Sequence, residues 1–295
     1  MAQFQRVLVT AAGGMTGRHL VPALVNAGLE VRALGRSERI HALQGDHVQT
    51  LAGDMLDPAV LSRAQRDVDA VIYIGPRLHP LESAMGRAVI DASSAAGVQR
   101  LLQFSVHSPT IEFLVNHQTK AAVEDYLFSS SLEWTILQPQ HYMQNFDPAE
   151  ISRTGRFQLE YSLDSPLSFV DLEDVCEVAA RVLTEDGHAY ATYPLCGADV
   201  LTGHQIAAAV AEHSGAAVEA VQIALPKFVE VLAHGGTLPH YVIDGLYRLF
   251  TYYGLHGIRG NPNILRWLLG HEPGDFAGYI DRTLRSPERS GDTSD

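Results

Sequence analysis

A glycine-containing turn near the start of the sequence is the first stretch whose spacing could bind a ligand. Ala11, Gly14 and Gly17 lie three positions apart where the apolar segment "RVLVTA" gives way to the helical pattern "GRHLVPALVNAG". A strand that ends in such a turn can hold a pyrophosphate on the backbone N–H groups of the following helix. The spacing therefore predicts a dinucleotide-binding turn, because an ordinary loop does not need this pattern between a strand and a helix.

Ala11 stands where such turns usually have their first glycine. A methyl group is compatible with the turn as long as the φ angle of Ala11 stays negative, since only a positive φ favours glycine. Gly14 can bring the backbone close to the phosphates, and Gly17 can let the helix pack tightly on the strand. We therefore expect a modified but working turn, on the condition that Ala11 keeps a negative φ.

The ends of the next two strands carry side chains that could select and orient a cofactor. Arg36 follows "EVRALG", where a basic side chain favours the 2′-phosphate of NADP over the ribose hydroxyls of NAD. Asp54 follows "VQTLAG", where a carboxylate can accept a hydrogen bond from an adenine amino group or cap the next helix. These residues favour NADP(H) as the cofactor, with NAD(H) as the alternative.

Apolar strand patterns alternate with helical patterns over the first 140 residues. This alternation predicts right-handed crossovers and an α/β fold with a doubly wound parallel sheet, the Rossmann arrangement. Beyond residue 146 the rhythm loosens. We therefore expect a dinucleotide-binding domain over 1–146 and a smaller, mainly helical C-terminal lobe over 147–284 that partly shares the sheet. The polar segment 285–295 is predicted to be disordered.

Composition excludes several classes of protein. The 295 residues carry a formal net charge of −13, which argues against direct binding to nucleic acid. The two cysteines do not suffice for a disulfide framework, and no apolar run approaches the length that spans a bilayer. The histidines and cysteines show no metal-ligand spacing, so no metal site is predicted. With no signal sequence recognised, we expect a cytoplasmic protein without a membrane partner.

Several longer segments carry a resemblance to a known family. They are "VTAAGGMTGRHLV", "GDMLDPAVL", "AGVQRLLQFSV", "HQTKAAVEDYLFSSSLEWTILQPQHYMQNF" and "LSFVDLEDVCEVAARVLT". Together they resemble the NmrA-like group of atypical short-chain dehydrogenases/reductases. The resemblance implies a Rossmann core, a smaller C-terminal lobe and a substrate cleft between them. It also implies either an NADPH-dependent reductase of quinones, dyes or phenolic ethers, or a cofactor-binding regulator without catalysis.

The resemblance places the cofactor along the ends of the strands. The family's 2′-phosphate arginine corresponds to Arg36, and its adenine-side aspartate corresponds to Asp54. The implied contacts from the phosphate turn come from Thr10, Ala12, Gly13, Gly14, Met15, Thr16 and Gly17. The nicotinamide-side loops, the active-site lysine and the strand-end proline fall on Gly75, Pro76, Ser105, Val106, His107, Lys120 and Pro139.

The resemblance leaves the proton donor open. Typical short-chain reductases carry Tyr-x-x-x-Lys, in which the phenol donates a proton beside hydride transfer. Here Asn116 stands four positions before Lys120. His107, His117 and Tyr142 are the candidate donors in its place. Alternatively, a quinone-like acceptor takes its proton from water, or the site binds NADP(H) without turnover.

We therefore predict an NADPH-dependent oxidoreductase that reduces a small, apolar conjugated carbonyl or quinone-like substrate. One alternative is a non-catalytic NADP(H)-sensing regulator with a protein partner, and another is a non-redox isomerase or cyclase; a homodimer is a further alternative. The stripe Leu246, Phe250 and Tyr253 is expected to pack in the core or to border an apolar or aromatic ligand. Lys120 and Glu124 also have the spacing of an ordinary i,i+4 ion pair.

Overall fold

A computed structural model of the chain describes residues 4–285. The first of its two units contains the chain up to Ile111, together with Asn116–Pro139 and Leu172–Pro194. The second contains Glu112–Val115, Gln140–Asp171 and the chain from Leu195 onward. The division into domains at residue 146 stays a prediction. The predicted disordered tail lies outside the described residues, apart from Arg285.

The regular elements alternate between strand and helix through the first part of the chain and become mainly helical towards its end. The strands are β1 (Arg6–Val9), β2 (Glu30–Gly35), β3 (Val48–Ala52), β4 (Ala70–Ile74), β5 (Arg100–Phe104), β6 (Glu133–Pro139), β7 (His141–Tyr142), β8 (Arg156–Leu159), β9 (Leu167–Val170), β10 (Ala191–Leu195), β11 (Val200–Leu201) and β12 (Glu219–Gln222). The α-helices are α1 (Met15–Asn26), α2 (Pro58–Ala64), α3 (Glu82–Ala96), α4 (Val115–Phe128), α5 (Pro148–Thr154), α6 (Leu172–Thr184), α7 (Gly203–Ser214), α8 (Leu225–Leu232), α9 (His240–His256), α10 (Asn263–Leu269) and α11 (Phe276–Arg285). Short 3₁₀ helices cover Glu38–Leu43 and Met143–Asn145.

A seven-stranded sheet in the order β10-β6-β5-β4-β1-β2-β3 forms the centre of the first unit. Strands β1 to β6 pair with their neighbours in parallel. The central strand β1 carries Val7, Leu8 and Val9 at 0% exposure, as expected for a strand covered on both faces. The order reverses at β1 and β4, so the predicted doubly wound parallel sheet is confirmed.

Two helices of the first unit bury apolar stripes. Helix α1 buries Leu20, Val21 and Leu24 and packs against α6. Helix α6 buries Val175, Val178 and Val182. Each helix therefore covers the sheet with the side that its apolar spacing indicates.

The second unit contains two small sheets and six helices among the residues that the structure describes. Strands β11, β9 and β7 form one sheet, and β12 pairs with β8 in parallel. Helix α7 begins with a cap in which Thr202 and Gln205 form a reciprocal capping box. Of the predicted aromatic stripe, Leu246 and Tyr253 are buried, and Phe250 stacks on Tyr161 at 6.0 Å between ring centroids.

A membrane-spanning helix would need a long, strongly apolar run, and among residues 4–285 no helix meets that requirement. Over the same residues, no group of three or more histidine, cysteine or acidic side chains is placed so that it could hold a metal ion.

Candidate cofactor site

The base of the phosphate turn is held to the strands on both sides of β1. The Thr10 hydroxyl accepts a hydrogen bond from the Ile74 N–H at 2.8 Å and lies 3.1 Å from the Ile74 carbonyl, to which it donates. The Ala12 N–H donates to the Leu34 carbonyl at 3.0 Å. Thr10 and Ala12 are completely buried, and their contact with the cofactor stays a prediction.

The φ angle of Ala11 corrects the sequence-based expectation. It is +48°, in the left-handed region, whereas the sequence analysis accepted alanine here on the condition of a negative φ. The physical reason is the tightness of the turn: the Gly14 N–H donates back to the Ala11 carbonyl at 3.0 Å. An alanine in this conformation costs about 1 kcal/mol. The turn forms despite the methyl group and stores some strain.

Gly17 is the position at which the turn most requires glycine. A Cβ added to Gly17 would lie closer than 3.0 Å to the Cα, carbonyl carbon and oxygen of Ala12, so helix α1 packs on the turn more closely than any other residue permits. The N-cap of α1 is Gly14, and the first turn begins Met15-Thr16. The N–H groups of a first helical turn have no intrahelical acceptor. This backbone therefore suits the pyrophosphate of a dinucleotide.

Arg36 and Asp54 lie at the carboxyl ends of β2 and β3, as predicted. Both side chains are exposed. Asp54 accepts a hydrogen bond from the Leu56 N–H at 2.8 Å, but the cap of helix α2 is Asp57, whose carboxylate accepts from the Ala59 N–H at 2.8 Å. Of the two uses considered for Asp54, capping the helix is therefore wrong, and contact with an adenine amino group stays a prediction.

The predicted nicotinamide-side residues follow β4, β5 and β6, so they lie together at the carboxyl ends of these parallel strands. Gly75 and Pro76 follow β4 and are half-buried. Ser105 follows β5 and is buried, and the His107 N–H donates to the carbonyl of Pro139 at 2.9 Å. The carboxyl ends of parallel strands are where ligands bind in open α/β sheets.

Lys120 pairs with a carboxylate that the sequence analysis did not single out. Its Nζ lies 2.6 Å from Oε1 of Glu82, the first residue of α3. Glu82 is 1% exposed, and its Oε2 accepts a hydrogen bond from the Thr119 hydroxyl at 3.0 Å. The i,i+4 pair of Lys120 with Glu124 that the spacing suggested is wrong, because Glu82 takes the ammonium group instead.

Glu124 belongs to a different buried network, one turn further along α4. Its Oε1 accepts a short hydrogen bond from the Ser105 hydroxyl. The Gln138 amide donates to both carboxylate oxygens of Glu124, at 3.0 and 3.2 Å. Glu124 is 7% exposed, so hydrogen bonds from neutral groups replace its lost hydration. The network fixes Ser105 at the end of β5.

The two histidines of this edge are both held by Ser108, whose φ is +56°. Nδ1 of His107 lies 2.8 Å from the Ser108 hydroxyl, and Nδ1 of His117 lies 2.9 Å from the Ser108 carbonyl. Because a carbonyl only accepts, Nδ1 of His117 carries the proton and Nε2 has the lone pair. Nε2 is buried, and no partner for it exists among residues 4–285.

The charge state of the histidines follows from their burial. Burial is the main cause that lowers the pKa of His117 to about 4; the nearby Lys120 and His107 contribute to the lowering, and the hydrogen bond to Ser108 opposes it. Burial also lowers the pKa of His107. Both imidazoles are therefore neutral at pH 7, and His117 presents a proton acceptor rather than a donor. Asn116 is half-buried beside them, and Tyr142, the third candidate donor, lies half-buried on β7 of the second unit.

Sequence reasoning missed Glu82, Thr119 and Gln138. A signal for Glu82 does exist, because it lies one turn before Met85 on the stripe that α3 buries. A charged residue at a buried helical position needs a partner from another element. The sequence alone does not identify that partner, which comes from a helix 38 residues away.

Comparison with known proteins places these features in a family. The NmrA-like family model matches residues 3–285. An NAD(P)H azoreductase from Xenophilus azovorans is 29% identical over 249 residues, which cover 83% of this chain and 86% of the azoreductase.

Two solved structures share the fold. The NADPH-dependent quinone oxidoreductase from Escherichia coli, complexed with NADPH, superposes with a TM-score of 0.78 at 24% identity, covering 94% of this chain and 99% of the other. A negative transcriptional regulator, NmrA in complex with NAD, superposes with a TM-score of 0.77 at 18% identity and 98% coverage of both chains. The match of the family model over nearly the whole sequence shows that the chain belongs to the NmrA-like family.

Proposed function

We propose that the protein is an NADPH-dependent oxidoreductase that reduces small, apolar conjugated carbonyl or quinone-like compounds. The observation that carries the proposal is the turn after β1, where Gly17 lets α1 begin in direct contact with Ala12. The related azoreductase uses NAD(P)H by name, and the quinone oxidoreductase that shares the fold is named as NADPH-dependent. Both names support a reductase of conjugated, electron-poor compounds.

Four of the predicted cofactor residues have a defined task in this proposal. The N–H groups at Met15 and Thr16 bind the pyrophosphate, which also benefits from the positive end of the α1 dipole. Arg36 is exposed at the end of β2, where its guanidinium can form two hydrogen bonds to a 2′-phosphate. Lys120 binds the nicotinamide ribose through its ammonium group, which Glu82 holds in place.

Bound NADPH would supply the hydride, and the protein has to orient the acceptor and leave a proton source within reach. His117 is neutral with its lone pair on Nε2, so it does not fill the place of the absent tyrosine as an acid. A quinone-like acceptor has no strict need for a positioned acid, because its reduced oxygen takes a proton from water. The neutral state of His117 therefore supports an acceptor of this class.

The direct test is NADPH oxidation by the purified protein with a panel of quinones, azo dyes and enones. We expect turnover with at least one class, with one NADPH consumed for each quinone or enone reduced and two for each azo bond cleaved to amines. Lys120→Met should reduce turnover by about tenfold or more, because the ribose contact is lost. Product formation without net NADPH loss would instead identify an isomerase or cyclase, and an inactive panel would contradict the reductase.

A second candidate function is an NADP(H)-sensing regulator. The observation that favours it is Asn116, a residue that cannot act as an acid, four positions before Lys120. The fold of a negative transcriptional regulator is compatible with this function. A regulator should bind one oxidation state of the cofactor more tightly and leave every acceptor of the panel unreduced.

A further inference from the structure

The Glu82–Lys120 pair is a neutral unit built from one buried carboxylate and one nearly buried ammonium group. The Lys120 side chain is 17% exposed, and that of Glu82 is 1% exposed. The Tyr73 hydroxyl donates to the Glu82 carbonyl at 3.0 Å, and the Thr119 hydroxyl donates to its carboxylate. Glu82 is thus fixed at both its backbone and its side chain.

The carboxylate also touches the loop that is proposed to face the nicotinamide. A Cβ added to Gly75 would lie 2.7 Å from Oε1 of Glu82, the same oxygen that accepts from Lys120. Oε1 of Glu82 is therefore close to both the Gly75 backbone and the ammonium group of Lys120. Any ring bound beside Gly75 therefore experiences the negative charge of Glu82 as well as the positive charge of Lys120.

The balance of charge matters because the nicotinamide ring is cationic in NADP⁺ and neutral in NADPH. A lone ammonium group beside the ring would repel the oxidised form and leave the reduced form almost unaffected. The carboxylate of Glu82 offsets that repulsion. His117 is neutral and therefore adds no charge to the site at pH 7.

We infer that Glu82 is a positioning residue for Lys120 that also sets the relative affinity of the site for NADP⁺ and NADPH. It orients the ammonium group towards the ribose and cancels its charge towards the ring. This inference rests on the proposed cofactor site. It assigns the discrimination between oxidation states to a residue of α3, outside the glycine turn and the α4 segment that carries the lysine.

The test is the ratio of two dissociation constants, Kd for NADP⁺ divided by Kd for NADPH, measured calorimetrically on the full-length protein. Glu82→Gln leaves a net positive pair and should raise the ratio about fivefold. Lys120→Met leaves the Glu82 carboxylate without its cation, so all four proteins are titrated at pH 8.5 to favour its ionised form; the net negative site should then lower the ratio by a similar factor. The double variant is neutral again and should return to within about twofold of the wild-type ratio.

The ratio separates charge from structure. Loss of the ribose contact or a loosened site weakens both forms of the cofactor and cancels in the ratio. Glu133→Gln is the matched control, because Glu133 also pairs with a buried cation, Arg100, at 2.8 Å, but at the start of β6. It should lower the melting temperature and leave the ratio unchanged.

Three results would decide against the inference. The inference would be overturned, with the proposed function intact, if the wild type, both single variants and the double variant gave the same ratio. It would also be overturned if the ratio of the double variant shifted as far as that of a single variant. Binding of neither form by the wild type would overturn the proposed function together with the inference. Should Glu82→Gln not fold, the comparison of Lys120→Met with the double variant still decides, because only the former should favour NADP⁺.

Discussion

The two units of the chain differ in what they bury. The first unit buries ionisable groups and holds them with specific partners, as Lys120 holds Glu82 and as Ser105 and Gln138 hold Glu124. The second unit mainly buries aromatic rings, which pack edge-to-face around Phe146 and Phe169, together with one partnered carboxylate, that of Asp171, which pairs with Arg282. A partnered charge is oriented as well as buried, so the first unit has the groups that can bind a polar cofactor.

A carboxyl group of the second unit that lacks a cationic partner shows a different consequence of burial. Glu160 follows β8 and is half-buried, and no cation contacts it in the part of the chain that the structure describes. Burial raises its pKa to about 7. Glu82 is more deeply buried but has Lys120 as its partner. Burial therefore has different consequences for a carboxyl group with a cationic partner and for one without, and the following substitutions can break or sharpen this comparison.

The largest effect is expected at Gly17. Gly17→Ala should cost about 3 kcal/mol or more in the free energy of unfolding and abolish NADPH binding, since the methyl group would overlap the backbone of Ala12. Gly13→Ala is the control, because its Cβ would meet only Cδ1 of Ile40, at 3.7 Å. Denaturant unfolding of both variants checks this, and equal losses would contradict the account of the turn.

His117 should make the first unit sensitive to acid. Its folded pKa of about 4 lies below its unfolded value of 6.5, so the unfolded chain takes up the proton first as pH falls. Its contribution is complete above pH 6.5 and is lost towards pH 4, a change of about 3 kcal/mol. His117→Asn keeps a donor for Ser108 and should lose less stability between pH 7.5 and 4.5 than the wild type.

The control for this pH profile is His204→Asn, an exposed position in the second unit. Its unfolding free energy should follow the wild-type profile between pH 7.5 and 4.5. An unchanged profile for His117→Asn as well would mean that the buried imidazole is not kept neutral by the fold.

Glu160 should make the second unit sensitive to alkali. Its folded pKa of about 7 lies above the unfolded value of 4.5, so its contribution is present below pH 4.5 and is lost as pH rises through 7. The effect of Glu160→Gln on the free energy of unfolding should therefore be more stabilising at pH 8.5 than at pH 5. The expected difference is about 2 kcal/mol, which is reduced from the full value because the side chain is partly exposed. Glu219→Gln, exposed on β12, should show no such difference.

The smallest effect is expected from relief of strain at Ala11. Ala11→Gly should raise the free energy of unfolding by about 0.5 to 1 kcal/mol, because glycine adopts φ +48° without penalty but is more flexible when unfolded. Ala12→Gly, at the adjacent buried position, should destabilise the protein instead. A loss of stability in Ala11→Gly would contradict the assignment of strain to this residue.

The sequence was most informative where structure follows from local pattern. The alternation of strands and helices predicted the sheet, and Gly17 was assigned to close helix packing before its contact with Ala12 was known. The φ of Ala11 was not predictable, because it depends on the closing hydrogen bond from Gly14. The close packing at Gly17 and the φ of Ala11 arise within a few residues of each other, but the sequence predicts only the feature that depends on spacing.

The other features that the sequence did not predict are pairings between distant elements. Lys120 and Glu124 have the spacing of an ion pair, but each finds a different partner because α4 packs beside α3 and the ends of β5 and β6. Local spacing does not reveal which of two carboxylates is nearer once the helices pack. The neutral state of His117 likewise depends on burial that tertiary packing creates.

The central claim is that the turn between β1 and α1 binds the pyrophosphate of a dinucleotide and that Arg36 selects NADP(H). Calorimetric titration of the wild-type protein with NADPH and with NADH tests it most directly. We predict binding of NADPH at least about tenfold tighter than that of NADH, and loss of this preference in Arg36→Gln. No heat of binding with either nucleotide, in a protein that is folded, would contradict the claim.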